Sequence, residues 1–171
     1  MTHVIVVYAS KHGSTHEIAD AIGAELVGAG LTADVVDAKE VRHLEADAVV
    51  IGSAVYMGRW RREAKHVLSR QAETLRAIPF WIFSTGPVGD PEAETEDAER
   101  WLEPAHIVDL ATELGVRGHV VFGGSLTDAQ GSMQRMMAKN MPEEFRDRRD
   151  WDEIRAWARG VATELGAPVG S

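Results

Sequence analysis

The chain has 171 residues, a formal net charge of −9 and no cysteine. One hydrophobic core is the expectation at this length, so residues 1–171 are read as a single domain, and the acidic balance argues against nucleic acid or an anionic membrane surface as partner. The missing cysteine excludes disulfides, thiolate metal sites, Fe–S clusters and a cysteine nucleophile, and no metal site is expected, so redox chemistry must belong to a bound cofactor.

Met1-Thr2-His3 leads straight into an apolar stretch with no secretory pattern, and no apolar run approaches the roughly 18 residues of a membrane span. A cytoplasmic protein without a transmembrane segment is expected. Val4-Ile5-Val6-Val7-Tyr8 is a short β-branched run that reads as a strand buried on both faces. From Thr15 to Gly28 the spacing turns helical, with Ile18, Ile22 and Leu26 on one face. Ala33-Asp34-Val35-Val36 predicts a second strand and Ala48-Val49-Val50-Ile51-Gly52 a third. A helix from about Arg61 aligns Ala64, Val67, Leu68 and Leu75, and Phe80-Trp81-Ile82-Phe83 is the fourth strand. After a polar loop from Gly86 to Glu96, Ile107, Leu110, Ala111 and Leu114 mark another helix, with Pro104 in its first turn and Gly115 closing it. His119-Val120-Val121-Phe122-Gly123 is the fifth strand. The last helix opens at Asp150 and puts Ile154, Trp157, Ala158, Val161 and Leu165 on one stripe. Strands alternating with helices imply a parallel sheet in a three-layer α/β architecture.

In such a sheet, ligands bind beyond the carboxyl ends of the strands, where strand order reverses. The rule points to the loops after strands one, three, four and five, the last from Gly124 onward. The first, Ser10-Lys11-His12-Gly13-Ser14-Thr15, offers hydroxyls, a glycine and a helix N-terminus whose unpaired N–H groups favour a phosphate. Its other reading is that Ser14 or Thr15 simply caps the helix. It matches neither Gly-x-x-x-x-Gly-Lys-Ser/Thr nor Gly-x-Gly-x-x-Gly, and Ala9-Ser10 and Gly52-Ser53 lack the acids of a phospho-acceptor receiver.

The second loop, Ser53-Ala54-Val55-Tyr56-Met57-Gly58-Arg59-Trp60, can meet a planar heteroaromatic ring through backbone amides, with Tyr56 or Trp60 over its face; the alternative is that these side chains pack the loop onto the sheet. The third, Ser84-Thr85-Gly86-Pro87-Val88-Gly89-Asp90, repeats hydroxyls and glycines and reads either as ligand-binding or as a turn. Beyond the fifth strand, Met133, Met136, Met137 and Met141 fall at helical spacing, as a substrate entrance, a partner surface or simple packing.

With these loops in view the chain resembles the flavodoxin superfamily, whose phosphate loop reads Ser/Thr-x-Thr-Gly-x-Thr: Ser10, Gly13 and Thr15 match, and His12 replaces the middle threonine. Within it the chain is most similar to the branch containing menaquinone-dependent protoporphyrinogen IX dehydrogenase. That similarity rests on Gly13-Ser14-Thr15-His16-Glu17-Ile18-Ala19, the run from Val50 to Gly58, and Asp150-Trp151-Asp152-Glu153. The resemblance implies a flavodoxin-like α/β fold, five parallel strands in the order 2-1-3-4-5. It implies FMN, its phosphate held by Ser10, Lys11, His12, Gly13, Ser14 and Thr15. The ring would lie between Ala54, Val55, Tyr56, Met57 and Gly58 on one side and Ser84, Thr85, Gly86, Pro87, Val88 and Gly89 on the other. Unlike that dehydrogenase, whose segment after strand five is basic and aromatic, the stretch Leu126 to Met141 here has no aromatic residue.

No catalytic side chain is assigned, because a flavin carries the redox chemistry itself. His12 is read as bonding the anion or the backbone. The expected function is an FMN-dependent oxidoreductase acting on protoporphyrinogen IX, a quinone or another small molecule. The alternative is a non-catalytic electron carrier steered to a redox partner protein by its acidic charge. A third reading keeps the fold without flavin.

Overall fold

The computed structural model describes residues 2–10, 13–56, 58–86, 104–125, 147 and 149–167. Its centre is a parallel sheet made of β1 (His3–Ala9), β2 (Thr32–Asp37), β3 (Ala48–Tyr56), β5 (Phe80–Thr85) and β6 (Gly118–Phe122), in the order β2-β1-β3-β5-β6. A sixth strand, the two-residue β4 (Arg59–Trp60), lies off this path and pairs antiparallel with β3. Setting β4 aside, the order is the expected 2-1-3-4-5.

The β-branched and aromatic runs form the strands because both faces of each are covered. Val4, Val6, Val50, Trp81 and Phe83 point into one core layer, under α1 (Ser14–Gly28) and the C-terminal helix α5 (Trp151–Glu164). Val7, Ile51, Phe80 and Ile82 point into the other, which also contains residues of α2 (Arg62–Arg70), α3 (Ala72–Ala77) and α4 (Ala105–Glu113). Ile18, Ile22 and Leu26 of α1 are each fully buried, and each such side chain contributes about 1.5–3 kcal/mol. In α5 the Asp150 side chain accepts the Glu153 N–H at 3.1 Å, capping the helix whose Ile154, Ala158 and Val161 are buried and whose Trp157 packs on them.

Close approach inside the sheet demands Gly52. A Cβ there would sit 1.9 Å from Cζ of Phe83, and the Phe83 ring is itself held by Phe122 at 5.9 Å and Trp157 at 6.4 Å.

Three expectations need correction. The helix from Arg61 to Leu75 is two helices, broken at Gln71, whose side chain donates to the Arg42 carbonyl (3.0 Å) and accepts the Leu44 N–H (3.3 Å). The third strand does not stop at Gly52: Ala54, Val55 and Tyr56 belong to β3, and the second expected loop is largely a hairpin that turns at Gly58 and returns as β4. The fourth strand likewise continues through Ser84 and Thr85. In both cases small and hydroxyl residues read as loop formers, although their backbones are paired with neighbouring strands. The methionine-bearing stretch from Met133 to Met141 and most of the loop from Gly86 to Glu96 lie outside the described residues.

Candidate functional site

Strand register assembles the site. At their carboxyl ends Ala9 pairs with Ser53, Ser53 with Ser84, Ala54 with Thr85 and Thr85 with Phe122. The ends of β1, β3, β5 and β6 therefore form one row, and the three expected loops leave from it side by side. β1 has β2 on one side and β3 on the other, so strand order reverses at β1.

Behind β1 the chain turns through Gly13, at φ 91° and ψ −13°, into α1. That left-handed conformation suits glycine, and the space around its missing Cβ is open. Ser10 braces the turn by accepting the Gly13 N–H on its hydroxyl at 2.9 Å. Gly13 occupies the N-cap position and no side chain caps the helix. The capping role considered for Ser14 or Thr15 is thus not what is observed, because the helix starts one residue earlier and both lie within it. The first backbone bond of α1 is Glu17 N–H to the Gly13 carbonyl, at 3.1 Å. Among the described residues the amides of Ser14, Thr15 and His16 meet no acceptor. Three N–H groups at the positive end of a 15-residue helix make a place for an anion.

The hydroxyls are used differently from the sequence reading. Thr15 is fully buried and its Oγ1 lies 2.7 Å from Oγ1 of Thr85. Ser84 Oγ accepts the indole N–H of Trp60 at 2.8 Å. Ser53 Oγ donates to the Ala54 carbonyl and accepts the Arg61 N–H, both at 2.9 Å. The Gly86 N–H donates to the Phe122 carbonyl at 2.9 Å. Thr15, Ser84 and Thr85 thus each hold an internal hydrogen bond through their hydroxyl oxygens, and the side chain of Trp60 packs in the core rather than covering a ring. Of the first loop's hydroxyls, that of Ser14 alone has no bond to a described residue. Ala54, Val55 and Gly58 are half-buried along the hairpin. Lys11, His12, Met57, Pro87, Val88 and Gly89 lie outside the described residues.

Two features were not found from sequence. The Tyr8 ring stacks on His16, centroids 4.2 Å apart and planes 6° from parallel, while His16 Nε2 is 3.4 Å from Asp20 Oδ2. Burial, together with Asp37 and Asp20, holds the Tyr8 phenol above its ordinary value. The second is Arg149, whose side chain is 7% exposed and forks onto Asp147 while also bonding Glu17 of α1. An arginine near acidic residues is ordinary in a sequence, and only the fold brings residues 132 positions apart together.

Cavities of about 380 and 500 Å³ flank the segment around Val41 to His43 and share no residue with the three loops. Among the described residues no three His, Asp or Glu side chains gather as a metal site, and no helix is long and apolar enough to cross a membrane.

The family model described as "Flavodoxin domain" matches residues 5–147. No curated protein matches the chain. Among solved structures, a flavodoxin from the domain Archaea is 18% identical with a TM-score of 0.60, covering 96% of this chain and 99% of its own. A WrbA-like flavodoxin from Agrobacterium tumefaciens is 21% identical, TM-score 0.57, covering 98% and 100%. Rubredoxin oxygen:oxidoreductase from Desulfovibrio gigas, 14% identical with a TM-score of 0.64, covers 100% of this chain and 38% of its own. The fold expectation agrees with these likenesses, and the expected cofactor agrees with the family, whose members are FMN-binding flavoproteins.

Proposed function

Because the chain belongs to the flavodoxin-domain family, we propose that it is an FMN-binding electron-transfer protein whose phosphate site is the start of α1. The observation that carries this reading is the set of three amides, Ser14, Thr15 and His16, that meet no acceptor among the described residues, behind a left-handed Gly13. Ser10 keeps that turn in shape through its bond to the Gly13 amide. Lys11, His12 and the Ser14 hydroxyl complete the phosphate loop in this proposal. The flavin ring is assigned to the two segments Ala54–Gly58 and Ser84–Gly89, which begin at the carboxyl ends of the neighbouring strands β3 and β5. The Thr15–Thr85 and Trp60–Ser84 bonds act one layer below, tying the floor of the site together. When bound, FMN supplies reversible one-electron and hydride chemistry, and the protein contributes position, hydrogen bonds and exclusion of water.

Within that function, an oxidoreductase acting on protoporphyrinogen IX or a quinone is supported by the resemblance of Gly13–Ala19, Val50–Gly58 and Asp150–Glu153 to the dehydrogenase branch. An electron carrier is supported by the net charge of −9, which steers a basic partner. Purified protein should show a flavin absorbance spectrum, and mass spectrometry of the released ligand should give FMN. Turnover with protoporphyrinogen IX or quinones selects the oxidoreductase; salt-sensitive reduction by a reductase without such turnover selects the carrier. Protein that stays colourless after incubation with FMN refutes both.

A further inference from the structure

Resting on the proposed phosphate position at the start of α1, we infer that Arg149 tunes that site for a phosphorylated flavin by offsetting part of the negative charge of Glu17, and is thus a positioning residue that acts through another side chain. Glu17 lies in the first turn of α1 and its own amide makes the first helical bond, to Gly13. Side chains of a helix lean toward its N-terminus, so this carboxylate, one residue beyond His16, is carried back toward the end that would take the anion. An unscreened carboxylate there repels a phosphate dianion and offsets part of what the helix end contributes.

The Arg149 guanidinium is held in place from three directions. Nε and Nη2 donate to Oδ1 and Oδ2 of Asp147 at 2.9 and 2.7 Å, Nη1 donates to Glu17 Oε2, and the group lies 4.9 Å from the centroid of the Trp151 ring. The backbone is fixed as well: Arg149 N–H donates to Asp147 Oδ1 at 3.0 Å, and Asp147 forms an antiparallel bridge with Ser125, just beyond β6. The fork onto Asp147 fixes the guanidinium, while the Glu17 carboxylate it also meets is half-exposed, so the attraction between the two is screened by salt. Consistent with the fork, hydrogen bonding by Arg149 pulls the Asp147 carboxyl below its usual range. The same contacts join the β6 side of the site to α1.

The test compares FMN with riboflavin, which lacks the phosphate, by fluorescence titration of apoprotein from the wild type, Arg149→Met, Glu17→Gln, Arg149→Met/Glu17→Gln and Arg149→Lys, with circular dichroism to check folding. Arg149→Met should weaken FMN binding about tenfold at low salt while leaving riboflavin nearly unchanged. Adding Glu17→Gln should restore most of the loss, and Arg149→Lys should keep the preference for FMN. Equal weakening of both flavins, or no recovery in the double variant, overturns the inference even though the wild type binds FMN. A wild type that binds riboflavin as tightly as FMN overturns the phosphate site itself, and the inference with it.

Discussion

Replacing Thr15 with valine separates the two jobs that its position combines. The hydroxyl is fully buried and pairs with Thr85 across the floor of the site, at 2.7 Å. Valine keeps the shape and the backbone amide but strands the Thr85 hydroxyl, which is 4% exposed as a residue. An unsatisfied buried polar group costs about 1–3 kcal/mol, which in a chain of this length lowers Tm by roughly 3 °C per kcal/mol. Thr85→Val should cost a similar amount for the mirror reason. Thr15→Val/Thr85→Val removes both polar groups and should be close to neutral, so the two losses should not add. Urea denaturation of the apoproteins measures the cycle, and flavin titration should give nearly unchanged FMN affinity for Thr15→Val because its peptide N–H remains. Additive losses in the cycle would falsify the bond as a stabilising pair, and a collapse of FMN affinity in a stable Thr15→Val protein would assign the hydroxyl to the phosphate instead.

Gly13→Ala meets no steric obstacle, but it forces a non-glycine residue to φ 91°; a cost of about 1–2 kcal/mol and weaker FMN retention are expected from melting curves and titration. Gly52→Ala drives a methyl into the Phe83 ring and should cost at least about 1–3 kcal/mol, with Gly52→Ala/Phe83→Leu recovering part of it by thermal denaturation. Asp150→Ala removes the cap of α5 and should lower the urea midpoint by an amount equal to about 1 kcal/mol. For Asp147 the folded-state pKa is below the ordinary 3.8, so the unfolded chain binds its proton more readily. The stabilisation is complete above about pH 4–5 and disappears as pH falls through the folded value. The stability gap between wild type and Asp147→Asn should therefore narrow on acidification, and a gap that widens below pH 4 contradicts the assignment.

Periodicity revealed most of the framework, because Ile18, Ile22 and Leu26, or Ile154, Ala158 and Val161, can be buried only along one side of a helix. Runs such as Val4 to Val7 likewise announce strands covered on both faces. Strand ends were harder to read. Ser53, Ala54, Ser84 and Thr85 have the composition of a loop, yet the sheet pairs their backbones and uses their hydroxyls internally. That α1 starts just behind Gly13, shortly after the end of β1, was legible from Gly13 and the helical spacing that follows. The use of each hydroxyl was not, since the Thr15–Thr85 bond joins residues 70 positions apart. Arg149 and Glu17 met the same obstacle: a local pattern carries no information about a partner brought near only by β6 and α5 folding back over α1.

The short return strand β4 limits how the protein can be redesigned. The Trp60 side chain enters the core and fastens its indole N–H to Ser84 on β5, while its backbone pairs with Val55 of β3. Diversifying residue 60 in a library aimed at new redox properties would mainly select for survivors of a folding defect. Gly58 at the turn, by contrast, is half-buried and carries no side chain, so a designer varying this hairpin should begin there and leave Trp60 in place.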